Sequence, residues 1–150
     1  MQFSDTIASL LQSQGPRQVI SIAPEAMVYE ALEAMARHNI GAVLVLSEGK
    51  LVGILSERDY ARKGVLIGHL ASETPVHQIM TTPVVYIHPE NTIDECLTVM
   101  TQHRFRHLPV VQEDEVVGIV SIGDLVKRTI AGQEQTIHEL QGYITGVWPG

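Results

Sequence analysis

The sequence is written twice. Displaced from Val19 to Val84, "VISIAPEAMVYEALEAMARHNIGAVLVLSEGKLVGILSERDYARKGV" falls on "VVYIHPENTIDECLTVMTQHRFRHLPVVQEDEVVGIVSIGDLVKRTI" without a gap. About fifteen of the forty-seven aligned positions are identical, among them Pro24/Pro89, Leu32/Leu97, Gly53/Gly118, Ser56/Ser121 and Asp59/Asp124. Chance supplies only a few. Such a chain is expected to fold as two like units. One unit of about fifty residues is of marginal size to fold alone, whereas a chain of this length buries roughly 68–70% of its unfolded surface. The copies are therefore expected to pack sheet to sheet about a pseudo-two-fold axis. That arrangement creates two equivalent clefts between them.

Each copy reads as β-α-β-β-α, an α/β (α+β) class. Short apolar runs, Val19–Ile22 and Val84–Ile87, end at a proline, as strands leaving a sheet do. Val28, Ala31, Leu32, Met35 and Ala36 then recur at helical spacing, and Ile93, Cys96, Leu97 and Met100 repeat the stripe. Asn91 is the expected N-cap of the second of these helices. "AVLVL" and "LVGIL", split by "SEGK", predict a hairpin; "LPVV" and "VVGIV", split by "QEDE", predict its counterpart. Pro109 has no N–H to give and belongs at an edge or unpaired position. Ser56 and Ser121 open the last helix of each copy, running to about Lys63 and about Ile130.

The expected order is an N-terminal helix (1–16), repeat 1 (17–66), a linker with a short helix at "VHQIM" (67–81), repeat 2 (82–131), and a C-terminal helix and tail (132–150). Ile7, Leu10 and Leu11 form the first flanking stripe; Ile137, Leu140, Tyr143, Ile144 and Val147 form the last. A formal charge of −7 argues against broad nucleic-acid or anionic-membrane binding, which needs a clustered basic surface. The single cysteine, Cys96, precludes an intrachain disulfide and fits a reducing cytoplasm. The N-terminal stretch has neither a basic start nor a long apolar run, and no segment approaches the ~18 apolar residues of a membrane span.

The repeated "GILSERD" and "GIVSIGD" carry whatever chemistry the chain has. Ser-x-x-Asp at a helix start can be a capping box, contributing about 0.5–2 kcal/mol with no ligand involved. The same geometry suits binding. Gly53 and Gly118 allow close approach to the backbone, a helix N-terminus offers N–H groups to an anion, and a carboxylate one turn in can accept both hydroxyls of a ribose. The two roles are compatible.

Two β-α-β-β-α units in register, each with a proline after its first strand and each ending in G-h-h-[ST]-x-x-D (h apolar), resemble a tandem pair of CBS domains, a Bateman module. The resemblance covers residues 17–131. "SERDYARK" is also similar to small stand-alone bacterial CBS-pair proteins and their organellar relatives. The resemblance implies a regulatory module, not an enzyme. Its ligand would be adenosine-containing (AMP, ADP, ATP, NAD(H) or S-adenosylmethionine), held in the clefts between copies. It implies that Asp59 and Asp124 hold ribose and that Ser56 and Ser121 supply the helix-start hydroxyl. Val19, Ile20, Val84 and Val85 would surround the base, with Met80 lining it. Arg58, Arg106 and His107 would meet phosphate. Their counterparts Gly123, Gly41 and Ala42 carry no charge, so the two clefts are not expected to be equally occupied. A homodimer and an effector protein are the implied macromolecular partners.

Other residues point elsewhere. The seven histidines have no zinc-type spacing with Cys or Asp, so no metal site is expected. Cys96 aligns with Ala31 and belongs to the core. No Walker A loop, nucleophile elbow or dinucleotide fingerprint is present, and no catalytic residue is assigned. The competing expectation is a ligand-free structural or protein-interaction module in which the repeated serine and aspartate only cap helices.

Overall fold

The structure is a computed structural model describing residues 5–131. The expected C-terminal helix and its stripe lie outside the described residues. Helix α1 (Ile7–Gln14) is followed by β1 (Ser21–Ile22), α2 (Val28–His38), β2 (Ala42–Ser47), β3 (Lys50–Ser56) and α3 (Glu57–Asp59). The second copy supplies α4 (Ile93–His103), β4 (His107–Gln112), β5 (Glu115–Ser121) and α5 (Ile122–Ala131). Strands β1 and β2 are parallel, and β2–β3 and β4–β5 are antiparallel hairpins.

Both hairpins turn on two residues of positive φ, Glu48 (51°) and Gly49 (78°) in one and Glu113 (51°) and Asp114 (62°) in the other. That turn geometry matches the twist of the flanking strands. Each hairpin carries a bulge at the same place. Val45 faces Gly53 and Leu46 faces Leu51, leaving Val52 extra; Val110 faces Gly118 and Val111 faces Val116, leaving Val117 extra. The glycine beside each bulge is buried and closely approached.

Several expectations change. The second copy has no first strand over Val84–Ile87, only a bridge from Ile87 to Val110. Proline is the reason. In the first copy Leu44 N–H donates to the Ile20 carbonyl at 3.2 Å, and Pro109, the counterpart of Leu44, has no N–H to repeat that bond to Val85. The Pro109 carbonyl still accepts from Ile87 N–H at 3.0 Å, so its nitrogen faces away from β5 and the β4–β5 ladder is undisturbed. Proline thus sits where it costs the hairpin nothing.

The N-cap of α4 is Thr92, not Asn91. The Thr92 hydroxyl accepts from Glu95 N–H, and Glu95 Oε1 accepts from Thr92 N–H at 2.8 Å. The Asn91 carbonyl oxygen instead accepts from His88 N–H at 2.7 Å, closing the turn before the helix. Ala36 lies exposed, outside the buried stripe of Val28, Ala31 and Met35. The last helix of repeat 1 is α-helical only over Glu57–Asp59, then continues as a π turn (Tyr60–Gly64) and a 3-10 turn (Val65–Ile67). Gly64, a poor helix former packed against the Tyr60 ring, stands where the second copy has Thr129.

The interior divides into one apolar cluster per copy. Val28, Ala31, Met35, Val43, Val45 and Leu55 form the first with Val76 and Ile79. Ile93, Cys96, Met100, Leu108, Val110, Val120 and Leu125 form the second with Ile7 and Leu10. Each cluster is thus sealed by the segment that precedes the other repeat. The seals are equivalent bond for bond. Ile7 N–H donates to the Asn91 carbonyl and Ala8 N–H to that of Pro89; Val76 N–H donates to the Ala26 carbonyl and His77 N–H to that of Pro24. Residues 5–11 and 74–80 therefore play the same part in opposite halves, although no sequence identity marks it.

Candidate functional site

Ser56 and Asp59 make a reciprocal capping box at the start of α3. Ser56 N–H donates to Asp59 Oδ2 at 2.9 Å, and Asp59 N–H donates to Ser56 Oγ at 3.0 Å. Ser121 and Asp124 repeat it on α5, at 2.9 and 3.1 Å. The sequence expectation of a cap is correct in both copies. What differs is the rest of each carboxylate.

Asp59 is fully engaged. Ser56 Oγ donates to Oδ2 at 3.0 Å, Thr81 Oγ1 donates to Oδ1 at 3.0 Å, and Lys63 Nζ lies 3.5 Å from Oδ1. Thr81 is fixed by backbone bonds to Ile54 in both directions, at 2.8 and 3.2 Å. Beside it Met80 fills the space over Gly53 so tightly that a Cβ there would clash with the methionine sulfur. Thr81 and Lys63 thus hold the Asp59 oxygen that is free of the cap.

Asp124 is open. Oδ2 accepts from Ser121 N–H, while among the described residues Oδ1 has only an ion pair with the exposed Arg17 at 3.8 Å, too long for a hydrogen bond. In front of it lies a cleft of about 480 Å³, within the usual range for a small-molecule site. Its walls include Val19, Ile20, Gly41, Ala42, His107, Ser121 and Asp124, together with Gln14 at the end of α1 and Gly15–Gln18 between α1 and β1. Leu11 covers Gly118 as Met80 covers Gly53, with a Cβ there 3.0 Å from the leucine methyl. His107 crosses from the second copy to Gly41 of the first, where a Cβ would lie 3.3 Å from its ring. Burial lowers the His107 pKa, outweighing the upward pull of Asp124 and Glu57, while Arg106 acts in the same direction as burial.

Seven of the residues singled out in the sequence thus come together: Val19, Ile20, Gly41, Ala42, His107, Ser121 and Asp124. The others do not join them. Ser56 and Asp59 form the equivalent cap of the first copy, with Met80 over the neighbouring Gly53. Val84 and Val85 stand half-buried in the irregular stretch that replaces a strand, Val85 against the second core. Half-buried Arg58 and exposed Arg106 lie outside the open cleft's lining.

Arg17, Thr81 and Lys63 were missed. Lys63 was legible as the i+4 partner of Asp59 on one helix. Arg17 and Thr81 lie outside the gapless repeat and follow the two sealing segments, which share no sequence signal. Cys96 is buried, and its thiol pKa is pushed up to about 12 by that burial.

The CBS domain family matches residues 16–65 and 76–130. The chain belongs to the CBS domain family. This CBS pair is 34% identical over 151 residues to the CBS domain-containing protein CBSX3, mitochondrial, of Arabidopsis thaliana, covering 95% of this chain and 73% of that protein. A putative signal-transduction protein with CBS domains from Burkholderia ambifaria superposes with a TM-score of 0.82 at 43% identity, covering 85% of this chain and 96% of that one. The CBS domain pair of protein MJ0100, in complex with 5′-methylthioadenosine and S-adenosyl-L-methionine, superposes with a TM-score of 0.72 at 27% identity, covering 85% of this chain and 97% of that one. Among the described residues no helix is long and apolar enough to cross a membrane, and no group of three His, Cys, Asp or Glu side chains is placed to hold a metal ion.

Proposed function

We propose that this CBS pair is a regulatory sensor that binds an adenosine-containing nucleotide such as AMP, ADP, ATP or NAD(H) in the cleft at Asp124, and that it catalyses no reaction. The observation that carries this is the Asp124 carboxylate, held by its cap through one oxygen and facing the cleft with the other unbonded among the described residues. A ribose diol offers the two donors such a carboxylate accepts. Val19 and Ile20 give the cleft the apolar wall a base needs. The adenosine compounds bound to the MJ0100 pair support the ligand class. A cytoplasmic location is part of the proposal, supported by the single buried cysteine.

The output passes to a second copy or an effector protein. Ile122, Val126 and Ile130 lie at i, i+4 and i+8 on α5 and are all exposed, which supports a protein contact. The same face, with the self-satisfied Asp59, favours the second reading, a protein-interaction module with empty clefts.

Thermal unfolding against AMP, ATP, NAD, NADH, S-adenosylmethionine and GTP separates them. A ligand at about a hundred times its Kd adds roughly 2.7 kcal/mol, and the midpoint rises about 2–4 °C per kcal/mol. At least one adenosine compound is expected to raise the midpoint of the native chain and of Asp59→Ala. The rise should vanish in Asp124→Ala and Asp124→Asn, each compared with its own ligand-free form. Silence across the whole panel supports the interaction module.

A further inference from the structure

Among the described residues the Asp124 cleft contains one permanent cation. Arg17 is the only arginine or lysine among its lining residues, and it stands over the carboxylate rather than away from it. Its pair with Asp124 is loose, at 3.8 Å with the arginine side chain 63% exposed. Exposed ion pairs of this kind hold their partners weakly. The other cationic candidate in the wall, His107, is held towards its neutral form by burial, with Asp124 and Glu57 opposing and Arg106 assisting. Arg17 also spans the halves. Gly15, at a φ of 75°, and Pro16 lead the chain out of α1, which seals the second copy, towards β1 of the first.

We propose that Arg17 is the specificity-determining residue of this cleft: it neutralises Asp124 when the cleft is empty and turns to the ligand's 5′-phosphate when a ribose diol takes the carboxylate. The inference rests on the nucleotide reading of the site. It follows because the diol and the 5′-phosphate belong to one ribose, so a guanidinium beside the diol's acceptor is a side-chain rotation from the phosphate. The exchange replaces one opposite charge by another and leaves no cation unpaired. A second or third phosphate finds no further lysine or arginine in the wall among the described residues, so the site selects a nucleoside monophosphate group. The handover also removes a tie between the α1–β1 connection and α5, so filling the cleft changes what joins the two copies.

The test is calorimetric titration of the full chain, native, Arg17→Ala and Arg17→Lys, with adenosine, AMP and ATP at pH 8, where the imidazole is uncharged. The native protein is expected to bind AMP at least about 10-fold more tightly than adenosine, the scale of a charge-assisted bond, with ATP no tighter than AMP. Arg17→Ala should abolish the AMP advantage and leave adenosine binding equal or tighter, because the competitor for Asp124 is gone. Arg17→Lys should restore part of the AMP preference, since it keeps the charge but not the fork. Equal weakening of adenosine and AMP in Arg17→Ala, or an unchanged ratio between them, overturns the role given to Arg17 and leaves the nucleotide site standing. If the native chain binds neither adenosine nor AMP, the nucleotide reading falls and takes this role with it.

Discussion

His107 sets a pH limit on the cleft. It is half-buried between the copies, against Gly41, and burial depresses its pKa from the ordinary 6.5. A proton therefore binds the unfolded chain's imidazole more readily than the folded one's. The linkage follows directly. The residue's contribution is present above the unfolded value of about 6.5, and it is lost as pH falls from there through the folded pKa. The difference in thermal midpoint between the native chain and His107→Gln should be constant from about pH 7 to pH 8 and should shift against the native chain below about pH 6.5. Differential scanning calorimetry of both proteins in matched buffers measures it. Parallel curves from pH 5 to pH 8 would mean that the imidazole has the same pKa in the folded and unfolded states, against the depression expected from burial.

At the scale of elements, the bulged strands β3 and β5 are the same device with different covers. Gly53 lies beneath Met80, where an added Cβ would clash with the sulfur and meet Cγ and Cβ at 2.9 and 3.3 Å. Gly118 lies beneath the Leu11 side chain, at 3.0 and 3.2 Å from its methyl carbons. A leucine tip can rotate aside; turning the methionine Sδ and Cγ away still leaves its Cβ at 3.3 Å, which moves only with a backbone that Ile79 and Thr81 pin on either side. Gly53→Ala should therefore destabilise by about 1–3 kcal/mol, the usual cost of overpacking, and Gly118→Ala by less. Urea unfolding of the two variants checks the order, and a larger loss at Gly118 contradicts it. The same elements mark how far the sequence could be read. Hairpins, turns and the helical stripes were legible because each is fixed by neighbours within a few residues. The missing strand at Val84–Ile87 depended on Pro109, more than twenty residues on, and the effect of a proline on a partner strand has no local signature. In the candidate site, Ser121 and Asp124 were legible from the repeat and Arg17 was not, because it reaches them through the fold alone.

On the scale of the molecule, the duplication is interlocked rather than side by side. Ile7 and Leu10, which precede repeat 1, are buried in the core of repeat 2, and Val76 and Ile79, which precede repeat 2, are buried in the core of repeat 1. Asp5 extends the first seal, accepting from Ile93 N–H at 3.0 Å and from Arg128 Nε of α5 at 3.0 Å. Cutting the chain between residues 68 and 69 therefore leaves each fragment with the seal that the other needs. Exposing two large aliphatic side chains' worth of core costs several kcal/mol per half, at about 2–5 kcal/mol for one buried Leu or Ile cut back to Ala. That is comparable with the whole stability of a small domain. Fragments 1–68 and 69–150 should each give an unfolded circular dichroism spectrum alone and should recover the native spectrum when mixed in equal amounts, with a midpoint that rises with concentration. A fragment that folds fully by itself would mean that its core closes without the borrowed segment. The open cleft obeys the same logic: Asp124 comes from one repeat, Gly41 and Ala42 from the other, and Arg17 from the connection that carries the seal across, so complementation should restore the cleft together with the fold.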